Sequence, residues 1–390
     1  MGIYIETSSE SVFKYGEELC GDKVETIRHP DAVTMVLADG LGSGVKANIL
    51  STLTSKIVAT MLSEGASVQE AVETIASTLP VCSERGIAYS TFSILKVSSN
   101  GQAHLVEFDN PEAVILRRGK PIEVEKTTEE IGGKRIKESR FQMQPEDMCV
   151  MFSDGAVHAG VGRMLNFGWQ RDNIIEYITR SYKRDITARS MTKLLLSACD
   201  SLYMQKPGDD TTVMAAKVRV AVPATVMVGP PVDKSRDVEM VNRFISAPGK
   251  KIACGGTTSQ IISKVTGREL SVKLDYVDPS IPPIAQIPGV DLVTEGVVTL
   301  GRALEHIRNY CSNFNDMPSL MTLNQQDGAS QLAKMLLEEC TEVRFLVGRA
   351  LNPAHQNPDL PLDLSLKLRM VQDIAKLLGD QGKNVEIEFC

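Results

Sequence analysis

Three acidic sites in the first half of the chain share one setting: aspartate beside glycine where an apolar run ends or begins. Val36-Leu37-Ala38-Asp39-Gly40 leads into Leu41-Gly42-Ser43-Gly44, and Met151-Phe152-Ser153-Asp154-Gly155 repeats the pattern. Gly208-Asp209-Asp210-Thr211-Thr212-Val213 places its acids just before such a run. Gly21-Asp22 is a fourth candidate, on the approach to the first. A strand fixes such a carboxylate in space, and the glycine lets the backbone approach a ligand closely. Singly, Asp-Gly after a strand is an ordinary turn. Several converging carboxylates, with no cysteine and few histidines among them, suit hard cations such as Mg2+ or Mn2+. Two such ions about 3.5–4 Å apart activate water and clamp a phosphate for in-line attack.

The elements that must hold these residues are legible as short strands and amphipathic helices. Apolar or alternating runs at Ala32–Ala38, Tyr89–Val97, Ala103–Phe108, Ala113–Arg117, Met148–Phe152 and Thr212–Val220 predict strands. Helical spacing covers Gly44–Glu64, Val68–Leu79, Asp172–Ser181 and Ile186–Tyr203. Strands and helices come in blocks without βαβ alternation, which predicts an α+β sandwich. Near residue 222 the pattern changes. Thr225–Val228 and Gly229-Pro230-Pro231 read as a linker, or as a first strand and turn. Beyond them, strands alternate with helices, including a strand at Glu269–Leu274 and a helix at Ala329–Cys340. That predicts a second, smaller α/β domain with an open sheet, so the domains are 1–222 and 223–390.

The order of motifs ADGLGSGVKA, AYSTFSILKV, FDNPEAVILRRGK, IGGKRI, MFSDGAV and GDDTTVM resembles the metal-dependent protein phosphatases of the protein phosphatase 2C (PPM) class. The bacterial branch typified by stage II sporulation protein E is the one it resembles, over residues 15–220. The resemblance implies a β-sandwich flanked by helices with a two-metal centre, holding Mn2+ or Mg2+. In it Asp39 would bridge both metals and the Gly40 carbonyl would bind one. Asp154 and Asp209 would be further carboxylate ligands, and Asp22 would serve the second metal. Asp210 would stand behind the ligands. His158 stands where this branch often carries Glu, and Thr211 replaces a common Met.

The activity so implied is hydrolysis of phosphoserine or phosphothreonine in a partner protein, by family resemblance a bacterial regulator of the anti-anti-sigma type. The contrasting reading is an inactive phosphatase fold kept as a scaffold, against which the retained Asp39, Asp154 and Asp209 speak. A serine nucleophile finds no support, since GxSxG is absent. In the second half, Gly255-Gly256-Thr257-Thr258 opens a helix after a strand, and Glu295 lies in a second strand-to-helix turn. Both could face one anion-binding crevice, or be plain capped turns.

Composition narrows the field. The chain has 390 residues, 43% of them hydrophobic, 23% charged and 5% aromatic, with a formal net charge of −7. Those values fit a globular protein and speak against nucleic acid or a membrane surface as partner. No apolar stretch approaches the roughly 20 residues a spanning helix needs. The start MGIYIETSSESV lacks a signal peptide's basic opening and apolar block. The eight scattered cysteines form no CxxC pair, which suits a reduced, cytoplasmic protein. The sequence leaves a homodimer open.

Overall fold

The computed structural model describes residues 2–78, 90–131, 134–272, 281–312, 322–350 and 363–390. The chain divides into two compact units, Met1–Val220 and Ala221–Cys390.

Among its described residues the first unit is built on two antiparallel sheets. Its strands are β1 (Ile3–Val12), β2 (Asp22–His29), β3 (Ala32–Gly40), β4 (Ser90–Ser98), β5 (Gln102–Phe108), β6 (Val114–Arg117), β7 (Lys120–Ile122), β8 (Thr127–Ile131), β9 (Lys134–Gln142), β10 (Asp147–Phe152) and β11 (Thr211–Val220). One sheet runs β2-β3-β4-β5-β9-β8, the other β1-β11-β10-β6-β7. Val33, Met35, Leu37, Leu95 and Leu105 of the first sheet pack with Ile115, Cys149, Met151, Met214 and Ala216 of the second. That shared core makes the pair a sandwich. Helices α1 (Gly44–Ser63) and α2 (Val68–Thr78) cover the other face of the β3 sheet, where Val58, Leu62, Val72 and Ile75 meet Val36, Ile94 and Val106. Central β3 is therefore buried on both faces, which is why its sequence is nearly all apolar.

The other helices are a short α3 (Asp154–Val157), α4 (Arg171–Ser181) and α5 (Ala188–Leu202). The Thr187 hydroxyl caps α5 by accepting the Ser190 N–H at 3.0 Å. This is the expected α+β sandwich flanked by helices. Tyr89, Leu79, Cys82 and the glycines of IGGKRI lie outside the described residues. The seven described cysteines are free.

The second unit holds a sheet ordered β14-β15-β16-β13-β12-β17-β18. Its strands are β12 (Pro223–Val228), β13 (Lys250–Cys254), β14 (Ser271–Val272), β15 (Ala285–Gln286), β16 (Leu292–Thr294), β17 (Glu342–Val347) and β18 (Asn384–Phe389). The five from β16 to β18 are mutually parallel, and β14 and β15 form an antiparallel margin. In chain order the parallel strands run 3-2-1-4-5, a doubly wound arrangement. Its helices are α6 (Asp237–Ser246), α7 (Gly256–Thr266), α8 (Val297–Ser312), α9 (Gly328–Lys334) and α10 (Asp363–Asp380).

Of the two readings of residues 225–228, linker or first strand, the structure has the strand: they belong to central β12. Of the strand read at 269–274, Ser271–Val272 form an edge pairing, Glu269 and Leu270 fall outside it, and 273–274 lie outside the described residues. The helix read at 329–340 leaves α geometry after Lys334, and Met335–Glu339 forms a π turn.

One contact fixes how β3 hands over to α1. A side chain at Gly40 would run into the Ala47 carbonyl, so strand end and helix touch backbone to backbone. Gly40→Ala should lower the stability of the first unit by about 2 kcal/mol or more, read as an earlier urea midpoint.

Candidate metal centre

The four aspartates singled out in the sequence come together at one end of the sandwich. Asp22 opens β2 directly opposite Asp39 in the β2–β3 ladder, and the Gly40 N–H closes the pair by bonding the Gly21 carbonyl at 3.1 Å. Asp154 begins α3 at the end of β10. Asp209 sits just before β11, its carboxylate accepting the Asp210 N–H at 3.0 Å.

Backbone contacts and hydroxyls fix the spacing. A side chain at Gly155 would strike the Asp210 carbonyl and the Thr211 hydroxyl, so the Asp154 turn lies directly on the start of β11. The Tyr203 hydroxyl donates to the Gly155 carbonyl at 2.8 Å, holding that turn from behind. Ser153 Oγ donates to Asp22 Oδ2 at 2.7 Å and accepts the Thr212 N–H at 2.9 Å. One hydroxyl thereby links β2, β10 and β11.

Asp210 faces a different task. Its two carboxylate oxygens accept the Lys14 N–H at 3.0 Å and the Gly21 N–H at 2.9 Å. It pins the β1–β2 connection, and with it Asp22, against the start of β11. No local pattern points to Lys14 or Tyr203, whereas Ser153 is signalled by its place beside Asp154.

The electrostatics are those of crowded like charges. Burial pushes the Asp39 carboxyl well above the usual carboxylate range, and the charges of Asp22, Asp154 and Asp209 push it further. Asp22, 4% exposed, is also raised, first by burial and then by Asp210 and Asp154, against the opposing bonds from Thr212 and Ser153. Asp209 is raised by burial and by Asp154, and the Lys14 charge opposes that shift.

Among the described residues, no group of three or more His, Cys, Asp or Glu side chains is arranged to hold a metal ion. The donor chemistry and charge fit one nonetheless. The set offers oxygens alone, and a divalent ion would offset the repulsion that Lys14 opposes only at Asp209. His158 is exposed at the end of α3, and His104 of β5 is 2.8 Å from Glu138 of the adjacent strand β9.

In the second unit the two strand-to-helix turns do face each other: a side chain on Gly296 would come within 3.5 Å of the Gly255 Cα. The Gly255 N–H donates to the Thr294 carbonyl at 2.9 Å. Gly256 and Thr257 are exposed. The Thr258 hydroxyl is engaged inside the fold, donating to the Cys254 carbonyl at 3.1 Å and accepting the Gly229 N–H at 2.9 Å. Glu295 Oε2 is buried with no hydrogen-bond partner.

A two-sheet sandwich flanked by helices, with aspartates gathered at one end, is the architecture of the metal-dependent (PPM) protein phosphatase class. Residues 29–219 match the family model of stage II sporulation protein E (SpoIIE). This part of the chain is a SpoIIE-family domain. Among solved structures, the chain is similar to the PP2C phosphatase domain with a regulatory-domain fragment of SpoIIE from Bacillus subtilis, at 18% identity and a TM-score of 0.49, over 56% of this chain and 64% of that one. It therefore spans less than two thirds of that fragment. RsbX in complex with magnesium aligns at 18% identity and a TM-score of 0.42, over 55% of this chain and 95% of that one. The SiaA PP2C domain of Pseudomonas aeruginosa aligns at 13% and 0.42, over 54% and 85%. No curated protein matches the chain.

A carboxyl whose pKa is higher in the folded than in the unfolded chain holds its proton more tightly when folded. The metal-free fold should therefore lose stability as pH rises from about 4 through the raised values of Asp22, Asp39 and Asp209. With a chelator at neutral pH, Asp39→Asn should raise the melting temperature by roughly 2–4 °C. Mn2+ should stabilise the wild type and leave the variant nearly unmoved. Differential scanning calorimetry with and without Mn2+ checks both.

Proposed function

We propose that the first unit, taken as residues 1–222, is a Mg2+- or Mn2+-dependent phosphoserine/phosphothreonine protein phosphatase. The observation that carries this reading is the cluster of Asp22, Asp39, Asp154 and Asp209 within a SpoIIE-family domain. Asp39, Asp154 and Asp209 are the proposed catalytic carboxylates, with Asp22 and the Gly40 carbonyl completing the ligand set. Bound ions would supply water activation and would neutralise charge developing on the transferring phosphoryl group.

The chain's own residues do the rest. Asp210 holds the β1–β2 connection, Ser153 orients Asp22, Gly40 lets the end of β3 touch α1, and Gly155 lets the Asp154 turn touch the start of β11. Lys14 brings a positive charge to the acidic rim, where an incoming phosphate ester arrives. The substrate we favour is a phosphorylated bacterial regulatory protein, with residues 223–390 as a sensory or docking domain. No helix among the described residues is long and apolar enough to cross a membrane, in keeping with a cytoplasmic setting.

The full chain should hydrolyse a generic aryl phosphate and a phosphoserine peptide when Mn2+ or Mg2+ is added, and stop with a chelator. Asp39→Asn and Asp154→Asn should each lower turnover at saturating Mn2+ by at least about tenfold while circular dichroism is unchanged. A folded wild type without Mn2+-dependent turnover on either substrate would favour the scaffold reading. Mutants that retain most of the activity would overturn the ligand assignment.

A further inference from the structure

Large apolar side chains left in water are unevenly spread over the first unit. Among the described residues they fall in the connections that carry the four aspartates. Phe13, Tyr15 and Leu19 lie between β1 and Asp22, and Val45, Ile49 and Leu53 lie on α1 after Asp39. Val161, Met164 and Phe167 follow Asp154, and Met204 precedes Asp209. The remaining described connections of the unit, and α2, α4 and α5, expose none. Single exposed apolar residues are ordinary, whereas a gathered set marks a contact surface.

Helix α1 makes the strongest case, because its first three turns are built inside out. It turns Gly44, Ala47, Ser51, Thr54 and Ser55 toward the sheet, and large apolar residues join the buried face only from Val58 onward. The small inward side chains let the helix lie close on β3, where Ala47 meets Gly40 backbone to backbone. The Ser51, Thr54 and Ser55 hydroxyls donate to carbonyls of their own helix at 2.9–3.2 Å. Nothing in that packing requires Val45, Ile49 and Leu53, which recur every fourth residue on the outer side. Ile49 and Leu53 are 52% and 53% exposed. Lys56, two turns on from Ile49, pairs with Glu25 of β2 at 2.7 Å, so this side looks toward the open β2 edge of its sheet.

Short contacts join these segments into one surface beside the aspartates. The Asn48 amide on α1 donates to the Cys20 carbonyl at 2.7 Å, and the Ser43 hydroxyl donates to Glu17 at 3.1 Å. The Tyr15 N–H donates to the Pro207 carbonyl at 2.9 Å, and the Lys206 ammonium lies 5.2 Å from the Tyr15 ring centre. The charges borne by the same segments decide what settles there. Lys14, Lys46, Arg163 and Lys206 stand against Glu17 and Glu18, an excess of cations in a chain of net charge −7. A second copy meeting this surface across a two-fold axis would set those cations against one another. A partner that carries a phosphate meets them with the opposite sign.

We propose that this apolar rim is the docking surface for a phosphorylated protein, and that it selects partners showing apolar side chains around the phosphoresidue. The inference rests on the phosphatase reading and adds to it what is recognised beyond the phosphate. Ile49 and Leu53 stand outside the proposed ligand set, so replacing them changes docking and spares the chemistry.

Steady-state kinetics on the full chain with Mn2+ tests it, using p-nitrophenyl phosphate and two short phosphoserine peptides of equal charge. One peptide carries Leu and Phe on either side of the phosphoserine, the other Ser and Gln. kcat/KM should be at least about tenfold higher for the apolar-flanked peptide, through a lower KM. Ile49→Ser combined with Leu53→Ser should bring the two peptides within about threefold of each other. The same variant should turn over the aryl phosphate within about twofold of wild type. Ile49→Met, apolar and of like size, should keep the preference, as should Val238→Ser at an exposed valine of the second unit. A preference absent from the wild type, or kept by the double variant, overturns the docking surface, while turnover of the aryl phosphate upholds the phosphatase reading. No Mn2+-dependent turnover of any of the three substrates overturns that reading and this one with it. Sedimentation decides the remaining case: a dimer that the double variant dissociates makes a second copy the occupant and overturns the proposal.

Discussion

Four carboxylates pressed together at the end of a sandwich repel one another, and much of the first unit's local structure answers that repulsion. Left free, Asp22, Asp39, Asp154 and Asp209 would move apart toward water. Asp39, Asp154 and Asp209 stay because each is rooted at the end or mouth of a strand that is almost wholly buried, and Asp22 stays because it pairs with Asp39 across the β2–β3 ladder. Asp39 alone feels three other carboxylates. The sheets supply the apolar free energy that holds such a group together, and the group supplies the affinity for a cation. A site of this kind weakens the fold when empty and strengthens it when filled.

What the sequence made legible follows from how deeply each element is buried. Strands β3, β10 and β11 are covered on both faces, so their apolar runs were plain, and with them Asp39, Asp154 and Asp209. β1, β2 and β9 were missed for the opposite reason. β1 lies at a sheet edge, and IYIETSSESV alternates weakly, leaving only Ile5 fully buried. KRIKESRFQ of β9 carries charges on both of its faces. Asp22 stands in the sequence without a second acid close behind it. Its security comes from residues far away in sequence, Ser153 and Asp210, which no local pattern announces.

The second half was readable as alternating strands and helices, and its winding order was not. Alternation follows from short-range periodicity, whereas strand order depends on which pairs meet across long connections.

Gly40 and Gly155 have a bearing on how this fold tolerates change. At both, main chain rests on main chain, with no side chain acting as a spacer. The separation of the Asp39 strand end from α1, like that of the Asp154 turn from the start of β11, is therefore set by the size of a peptide group, which mutation cannot alter. The interior residues between the sheets, such as Met35, Met151 and Met214, can exchange for others of like volume without that separation following them. Divergence in the core and constancy at the site are then separable. A lineage can rebuild most of the hydrophobic interior and keep its aspartates in register.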